Sequence, residues 1–556
     1  LSKRRLFMEF KVKVGNEVQT YHKKTSLLEI IGDHDPEKRI VAAKVNNRIR
    51  ELTYELYYDC EVEFIDCKSP EAVKVYEATL RYVTAMAFRH AYPELKIRFA
   101  YNVSRSISIH ILTPGVVSST AMLLRVKHEM ESIIEQDLPL KRQIISKEDA
   151  AKLYQEHGFE DKLDLLPYRP EKTVHIYTCG DYVDYMYNHM MPSTGYLHDY
   201  KLRLYAPGFL LQYPRAEAGG KIPDFEDAPT FSRALTESHD WAKTVGSSTI
   251  GGINHSIETL GEIDFINLCE ARHNRMLCEL GQLIEDDIDD IRLICIAGPS
   301  SSGKTTFANR LRIELLSRGI RPIRISLDDY YLPKDQMPKD ENGKSDYESI
   351  ECLDIPLFNQ NMLDLISGEE VQLPKFDFKV GHRVPGRVLK IGPGEPIIIE
   401  GIHALNDRMH HDIPKAQKFK IFISPQAQIN LDDHTPLSLT DLRLIRRIVR
   451  DYQFRSSPAE ETLDMWPSVR KGEFKWIYPY QEGSDYVYNS MLSYELPVLK
   501  KYAMPLLSQI EEESPYFPDA MRLMRMLKYF IDMPDKWVPS NSLMREFIGG
   551  SCYADV

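Results

Sequence analysis

Nine consecutive residues have the composition of a loop that binds phosphate. Two glycines leave room for an anion beside the backbone, a lysine supplies positive charge, and a threonine hydroxyl can coordinate Mg²⁺. Their spacing is G-x-x-x-x-G-K-T, the P-loop pattern. The sequence therefore predicts a site for ATP, with Mg²⁺, in residues Gly298, Pro299, Ser300, Ser301, Ser302, Gly303, Lys304, Thr305 and Thr306.

The flanking segments fit the setting that a P-loop requires. The apolar residues 293–297 predict a buried strand before the loop, and apolar residues recur with helical spacing from Phe307 to Leu315. Gly319 then ends the helix. The alternative, a glycine- and serine-rich turn with an incidental lysine, does not account for this context. We expect Lys304 to face solvent until nucleotide binds.

Two further apolar strands end in carboxylates. Residues 323–327 precede Asp328, and residues 396–399 precede Glu400. Ligands of open α/β sheets bind at the carboxyl ends of strands, so Asp328 is a candidate base for a substrate hydroxyl. The alternative is that Asp328 only caps or turns the chain. Glu400 and Thr305 are the predicted metal-binding residues, and the strand before Asp328 is predicted to lie next to the P-loop strand.

A predicted helix over residues 441–452 carries an arginine stripe that includes Arg446, Arg447 and Arg450. Such stripes form either solvated faces with ion-pair partners or lids that close guanidinium groups over a transferring phosphate. Next to a P-loop both interpretations stand. The second makes all three arginines catalytic candidates.

The composition is that of an ordinary globular protein. The 556 residues are 43% hydrophobic and 27% charged, with a net charge of −12 that argues against wholesale nucleic-acid binding. The eight cysteines contain no C-x-x-C pair and are expected to be reduced, in the cytoplasm. No apolar run approaches the ~20 residues of a membrane span, and no signal peptide is visible.

The region before the P-loop is predicted to be helical. Helices are expected over residues 232–245 and 253–284, and residues 241–290 are interpreted as a helical linker. His239, His255 and His273 are too far apart for a local metal signature, so we expect solvated or helix-face histidines. The acidic run 285–290 is either a solvated linker, which we favour, or an ion site.

The C-terminal motifs together resemble the uridine kinase and phosphoribulokinase family. They are the P-loop, Ser-Leu-Asp-Asp-Tyr-Tyr at 326–331, residues 346–354, residues 371–378, and the arginine helix at 442–451. The resemblance covers most of residues 291 to about 500 and implies a P-loop kinase domain over 291–535, followed by a tail at 536–556. It implies a parallel sheet with helices on both faces and gives Asp328 the place of the catalytic aspartate.

The same resemblance implies the acceptor site. Glu348 stands where the family has an aspartate that holds sugar hydroxyls, and Phe376 stands where pyrimidine kinases have tyrosine. His382 is shifted by one residue from the expected base-contacting histidine, and Arg383 follows it. These departures lie in the acceptor pocket, so they leave the acceptor open while phosphoryl transfer remains the prediction.

The N-terminal residues resemble two modules of threonyl-tRNA synthetases. Residues 1–67 are similar to a TGS domain, a β-grasp unit, on the strength of Ala-Ala-Lys-Val-Asn-Asn at 42–47. Residues 68–240 resemble the α+β editing-type domain that follows it. The histidine pair and the later Cys/His pair of that family are reduced here to His90 and Cys179, with Asp181 where a histidine is expected. We therefore predict a degenerate site without zinc hydrolase activity.

The leading interpretation is an ATP- and Mg²⁺-dependent kinase acting on a hydroxyl of a small substrate, a nucleoside by resemblance. The alternative is a nucleotide-dependent regulatory protein that binds tRNA or another RNA through the synthetase-like modules. Net acidity and the missing editing ligands count against it. A purely structural scaffold does not explain the assembled kinase motifs.

Overall fold

The N-terminal part of the chain is a small mixed sheet with one short helix. The structure, a computed structural model, describes residues 9–339, 343, 346–377, 380–426 and 429–554. The first elements are β1 (Phe10–Val14), β2 (Glu17–Tyr21), β3 (Thr25–Ser26), α1 (Leu27–Ile31), β4 (Ala42–Val45), β5 (Arg48–Arg50), β6 (Glu55–Leu56) and β7 (Cys60–Ile65). The sheet order is β2-β1-β7-β4-β5, with β1 and β7 parallel, as in the β-grasp fold that the sequence predicts.

The second unit is an α+β structure built around one long buried helix. Its elements are α2 (Pro70–Ala91), β8 (Ile97–Val103), β9 (Ser106–Ile111), α3 (Thr120–Glu135), β10 (Lys141–Ser146), α4 (Lys147–His157), α5 (Glu160–Leu165), β11 (Thr173–Cys179), β12 (Tyr182–Asp184), β13 (Lys201–Tyr205) and β14 (Gly208–Gln212). They form the sheets β13-β14-β9-β8 and β10-β11-β12. Most of α2 is buried, including one apolar face formed by Val73, Tyr76, Leu80, Val83 and Ala87.

Three helices connect this unit to the P-loop strand: α6 (Pro229–Thr244), α7 (Ile250–Leu260) and α8 (Glu262–Asp286). The helix expected over 253–284 is broken at Gly261, whose φ of +85° lies in a region that side chains disfavour. The segment is not a free linker, because Phe265 and Leu280 pack in one core with the P-loop strand.

All three histidines lie on helices, in keeping with the expectation, but two of them are buried and not solvated. His239 and His273 are buried, because the helices that carry them pack into the core. The ring of His273 contacts the carbonyl oxygen of Met491 at 3.0 Å. His255 is exposed, as expected.

The C-terminal half is a parallel sheet covered by helices on both faces. Its elements are β15 (Leu293–Ala297), α9 (Lys304–Ser317), β16 (Ile323–Ser326), α10 (Ile355–Ile366), β17 (Val371–Asp377), β18 (His382–Leu389), β19 (Ile397–Glu400), β20 (Lys418–Ser424), β21 (Asn430–Asp432), β22 (Thr435–Pro436), α11 (Leu439–Arg455), α12 (Ala459–Trp476), β23 (Tyr486–Asn489), α13 (Glu495–Leu507), α14 (Phe517–Leu527) and α15 (Arg545–Ile548). Alternate residues of β15 face opposite cores: Ile294 packs with α9, and Cys295 lies in the core of α10.

The strand order corrects one prediction. The sheet runs β16-β19-β15-β20-β23 with parallel pairings, so β19 lies between the P-loop strand and the strand that leads to Asp328. The two carboxylate-bearing strands are therefore neighbours, and Glu400 is the closer of the two acids to the P-loop strand. The two strands have the same local pattern, an apolar run before an acid, so packing alone decides which one is adjacent.

The second unit is hydrogen-bonded to the C-terminal half along β8 and β21. The N–H of Phe99 donates to the carbonyl oxygen of Asp433 at 2.9 Å, and the Asn430 side chain donates to the carbonyl oxygen of Phe99 at 2.7 Å. Beneath this contact the Lys162 ammonium lies 3.1 Å from Asp184 and 3.9 Å from Asp432. All three side chains of that cluster are buried. Within the described ranges, no helix is long and apolar enough to cross a bilayer.

Candidate active site

The P-loop connects β15 to α9 and is folded as a cradle for an anion. Gly298 lies so close to the neighbouring strand that a Cβ there would be 1.9 Å from the carbonyl oxygen of Ile423. Ser301 and Gly303 both have positive φ, which turns the loop back on itself. In the described part of the chain, the buried hydroxyls of Ser302 and Thr306 have no hydrogen-bond partner. Unpaired buried hydroxyls at the N-terminus of a helix fit a phosphate ligand.

Lys304 does not face solvent as expected. Its ammonium donates to the carbonyl oxygens of Gly298, at 3.0 Å, and Pro299, at 3.3 Å, and the residue is half-buried. Burial lowers the pKa of Lys304, although the carboxylates of Glu400, Glu546 and Asp328 partly offset this. These two loop carbonyls are the hydrogen-bond partners of the Lys304 ammonium in the structure, and a bound phosphate would take their place.

Two carboxylates meet the lysine at the carboxyl edge of the sheet. Glu400 is the last residue of β19, and burial together with the charge of Asp328 raises its pKa to about 7. Lys304 and Arg324 act in the opposite direction, with the Arg324 guanidinium 3.7 Å from the Glu400 carboxylate. A raised pKa is expected for a buried acid that lies next to a second carboxylate. Glu400 and Thr305 supply the oxygen donors here that Mg²⁺ prefers.

Asp328 and Asp329 have different environments. The Asp328 side chain is exposed to solvent. The surrounding protein nevertheless desolvates its carboxylate and raises its pKa, while the positive charge of Lys304 lowers it. Asp329 instead accepts a hydrogen bond from the N–H of Phe376 at 3.3 Å, which fixes it to β17. Of the two, Asp328 is the acid left free in the cleft.

Glu348 faces the same cleft from the segment before α10. Burial and the nearby Glu473 raise its pKa to about 7, and Arg447 and Lys304 oppose that shift. It packs against α12 so closely that a Cβ at Gly472 would lie 2.5 Å from the Cβ of Glu348. Tyr331 is within electrostatic reach of both Asp328 and Glu348. Sequence reasoning missed Tyr331, although it follows the predicted base in the same motif.

The arginine helix divides the three predicted arginines into two groups. Arg446 has no solvent exposure, and its guanidinium pairs with Glu495 and donates to the carbonyl oxygens of Ser490 and Ser301. The donors of Arg446 are used inside the core, which argues against the prediction that it stabilises a transferring phosphate. Arg446 instead ties the P-loop to α13.

The other two arginines lie on the P-loop side of α11. Arg447 donates to the hydroxyl of Ser300 at 2.8 Å and to Asp451 at 3.1 Å. Arg450 pairs with Asp451 at 2.9 Å and is close enough to Lys304 to help lower that lysine's pKa. Arg455, which sequence reasoning missed, lowers the pKa of Asp328 through its positive charge and so partly offsets the effect of burial. A site for negative charge is therefore framed by α9 and α11.

The structure does not bring all of the acceptor-site candidates together. Phe376 is buried, and its ring packs edge-on against Tyr331 with centroids 5.8 Å apart, next to the Asp328 turn. Arg383 is paired with Asp354 at 2.8 Å, and His382 is exposed opposite Asp377 in the β17–β18 hairpin. His403, which sequence reasoning also missed, is buried three residues after Glu400 and near the Glu348 backbone.

The editing-type residues of the second unit form an ion-pair group. The imidazole of His90 lies 3.0 Å from Glu129 and 3.1 Å from Asp181, and Cys179 is buried. Among the residues that the structure describes, no three histidine, cysteine or acidic side chains are arranged to hold a metal ion. The predicted absence of a zinc hydrolase remains a prediction.

Comparison with known proteins identifies the C-terminal half. Residues 293–496 match the model of the "Phosphoribulokinase / Uridine kinase family". A uridine kinase of Macrococcus caseolyticus is 30% identical over 196 residues, which is 35% of this chain and 86% of that protein. The chain belongs to the phosphoribulokinase/uridine kinase family. The family's P-loop kinase fold agrees with the parallel sheet observed here.

The N-terminal half has a different relative. A threonine–tRNA ligase of Listeria monocytogenes is 28% identical over 167 residues, or 30% of this chain, in its N-terminal region. The chain spans about a quarter (26%) of the length of that ligase. A solved structure described as "a Possible Uridine Kinase from Bacillus stearothermophilus" covers 37% of this chain and 99% of its own, at 17% identity. Its TM-score of 0.25 is too low to carry an argument.

Proposed function

We propose that the chain is an ATP- and Mg²⁺-dependent kinase that transfers the γ-phosphate to a hydroxyl of a small acceptor, with a nucleoside as the acceptor class. The observation that carries this proposal is the meeting of Lys304, Asp328 and Glu400 beside the P-loop, at the carboxyl edge of the parallel sheet. The 30% identity to a protein named uridine kinase supports the acceptor class. The free cysteines support a cytoplasmic location.

Each residue of the cleft has a role in this reaction. Lys304 and the loop amides would bind the β- and γ-phosphates, and Arg447 and Arg450 would hold the γ-phosphate as it transfers. Asp328 would accept the hydroxyl proton while the acceptor oxygen bonds to phosphorus and the β–γ bridge breaks, which leaves ADP. Mg²⁺, when bound, neutralises phosphate charge, and Thr305 and Glu400 would hold it.

Glu348 is the proposed clamp for the acceptor. Its carboxylate would accept hydrogen bonds from sugar hydroxyls, while Phe376 and Tyr331 would form the apolar side of the pocket. His382 and Arg383 remain proposed acceptor residues through the family resemblance, and Arg383 would first have to exchange its pairing with Asp354.

The experiment is ADP release measured across a panel of nucleosides and sugars. With the best acceptor, Asp328→Asn should lower kcat about 10²–10⁴-fold with little change in nucleotide affinity, because it removes a base and keeps the shape. Asp329→Asn is the matched control. If Asp329→Asn abolishes turnover and Asp328→Asn does not, the base is misassigned by one residue. If neither variant changes kcat, the acceptor hydroxyl is not deprotonated at this turn and the assignment of the base must be withdrawn; if no acceptor in the panel stimulates ADP release, the kinase proposal itself must be withdrawn.

A second candidate function, RNA binding, has a specific observation in its favour. A cavity of about 1000 Å³ lies between the β-grasp unit, β10–β11 and the end of α14. Its basic lining residues outnumber its acidic ones, in contrast to the acidic chain as a whole. They are Arg50, Lys141, Arg142, Arg169, Arg525 and Lys528, against Glu51, Glu55 and Glu171. Tyrosines 54, 57 and 187, which are at least partly exposed, add rings on which bases could stack.

Binding of tRNA measured at increasing salt tests this second function. Phosphate contacts require the affinity to fall steeply with salt, and Arg142→Ala should weaken binding and reduce the salt slope. Lys152→Ala, an exposed substitution on α4 outside the cavity, is the control. If the affinity for tRNA does not change with salt, or if both substitutions change it equally, this candidate function is wrong.

A further inference from the structure

The C-terminal segment Ser542–Ile548 packs on the P-loop. Sequence reasoning treated it as part of a tail, but Leu543, Met544 and Phe547 have no solvent exposure. Leu543 touches the loop itself, because a Cβ built on Gly303 would lie 2.3 Å from the Leu543 Cδ2 atom. The segment therefore covers one side of the nucleotide loop at the point where α9 begins.

Glu546 of this segment makes a hydrogen bond that a nucleotide would also use. Its carboxylate accepts the N–H of Thr306 at 3.1 Å. Thr306 is the third residue of α9, and the first N–H groups of a helix have no partner inside the helix. In a P-loop those amides bind phosphate oxygens. The Glu546 carboxylate thus takes a donor that belongs to the phosphate cradle.

The electrostatic surroundings make this contact replaceable. In the described part of the chain no basic side chain forms an ion pair with Glu546, while its charge raises the pKa of the nearby Glu400. Lys304 is within electrostatic reach but is bonded to loop carbonyls. A phosphate offers more charge and more acceptor atoms to the same donors than one carboxylate does.

The rest of the segment is anchored to residues that also hold the loop. The Ser542 hydroxyl lies 3.0 Å from the hydroxyl of Tyr494, and the Arg446 guanidinium stacks 4.9 Å from the centre of the Phe547 ring. Arg446 donates at the same time to the carbonyl oxygen of Ser301. Arg446 therefore contacts both the loop and the C-terminal segment.

We propose that Glu546 is an intramolecular competitor for the nucleotide phosphates, so that the C-terminal segment sets the apparent affinity for ATP. This inference rests on the proposed kinase function and concerns the regulation of the same site. When the segment is docked the Thr306 amide is blocked, and binding of the triphosphate displaces Glu546. The apparent dissociation constant then equals the intrinsic one divided by the undocked fraction.

The first test is binding of a non-hydrolysable ATP analogue with Mg²⁺ to the full chain, measured by calorimetry. Glu546→Ala, which removes the competing acceptor, should bind about tenfold more tightly than wild type, and Glu546→Gln should fall between the two. Glu511→Gln, an exposed substitution, is the matched control and should equal wild type. Equal affinity in all four proteins overturns the proposal. Weaker binding in the Glu546 variants also overturns it, because Glu546 would then assist nucleotide or metal binding.

A second measurement does not depend on the variants. In wild type, amide hydrogen exchange of residues 542–548 should speed up when the analogue saturates the loop, because the segment undocks. Unchanged or slower exchange contradicts displacement. The two proposals fail separately. If no form of the protein binds the analogue, the kinase function falls; if wild type binds it and Glu546→Ala binds it equally, only the competition falls.

Discussion

Replacing Glu400 by glutamine should stabilise the free protein and abolish its activity. Glu400 is 6% exposed at the end of β19, and burial with the charge of Asp328 raises its pKa to about 7, despite Lys304 and Arg324. Glutamine keeps the size and the oxygen of the side chain without its charge. The residue that would hold Mg²⁺ is therefore also one that opposes folding at neutral pH.

The magnitude follows from linkage. A carboxyl pKa raised from 4.5 in the unfolded chain to about 7 in the folded protein corresponds to about 3 kcal/mol, at about 1.4 kcal/mol per pH unit. Between those two values the folded state binds more protons, so the free energy of unfolding falls as pH rises. The full cost is present above pH ~7 and absent below pH ~4.5. Glu400→Gln should remove that dependence.

The assay is urea unfolding of wild type and Glu400→Gln at pH 5 and pH 8, without nucleotide or Mg²⁺. At pH 8 the variant should be more stable by about 3 kcal/mol, and at pH 5 by less than about 1 kcal/mol. ADP release by the variant should be lost, and Glu511→Gln should match wild type in both measurements. A stability difference that is the same at both pH values would refute the raised pKa. A less stable variant at pH 8 would show that the charge of Glu400 is compensated in the apo protein.

Four further substitutions test the remaining assignments. Lys304→Ala should abolish ADP release while the circular dichroism and unfolding midpoint stay at wild-type values; turnover near wild type contradicts the P-loop assignment. Glu348→Gln should raise KM for the acceptor with kcat little changed, since it weakens charge-assisted hydrogen bonds, and an unchanged KM removes Glu348 from the acceptor site. Arg446→Gln should cost about 3–5 kcal/mol in unfolding free energy by stranding Glu495, whereas Arg447→Gln should mainly lower kcat. The reverse pattern would make Arg446 the phosphate-binding arginine.

The parts that sequence predicts well are those with a local signature. Residues 298–306 have a loop pattern that the backbone realises directly, and the strands on either side have the expected apolar runs. Such features depend on residues a few positions apart, so no long-range packing is needed to recognise them.

The parts that it misses depend on distant partners. Arg446 and Arg447 are neighbours in sequence, but about 100° of helix rotation directs one to Glu495 in the core and the other to the P-loop. The spacing of the arginines in the helix does not indicate which of them forms the ion pair with Glu495. For the C-terminal segment a local signal does exist, because Leu543 and Phe547 are apolar residues at helical spacing.

The hydrogen bonds between Phe99 and β21 affect how this chain could be dissected. Cutting before the P-loop strand would remove the Phe99 carbonyl oxygen that accepts from the Asn430 side chain and the Lys162 ammonium that lies near Asp432, and would leave Lys162 in the discarded piece without one of its carboxylates. Unpaired buried polar groups of this kind cost several kcal/mol, a large share of the net stability of a typical domain. The excised C-terminal fragment would therefore be less stable than the same residues in the whole protein. Denaturant should therefore unfold both halves of the chain together.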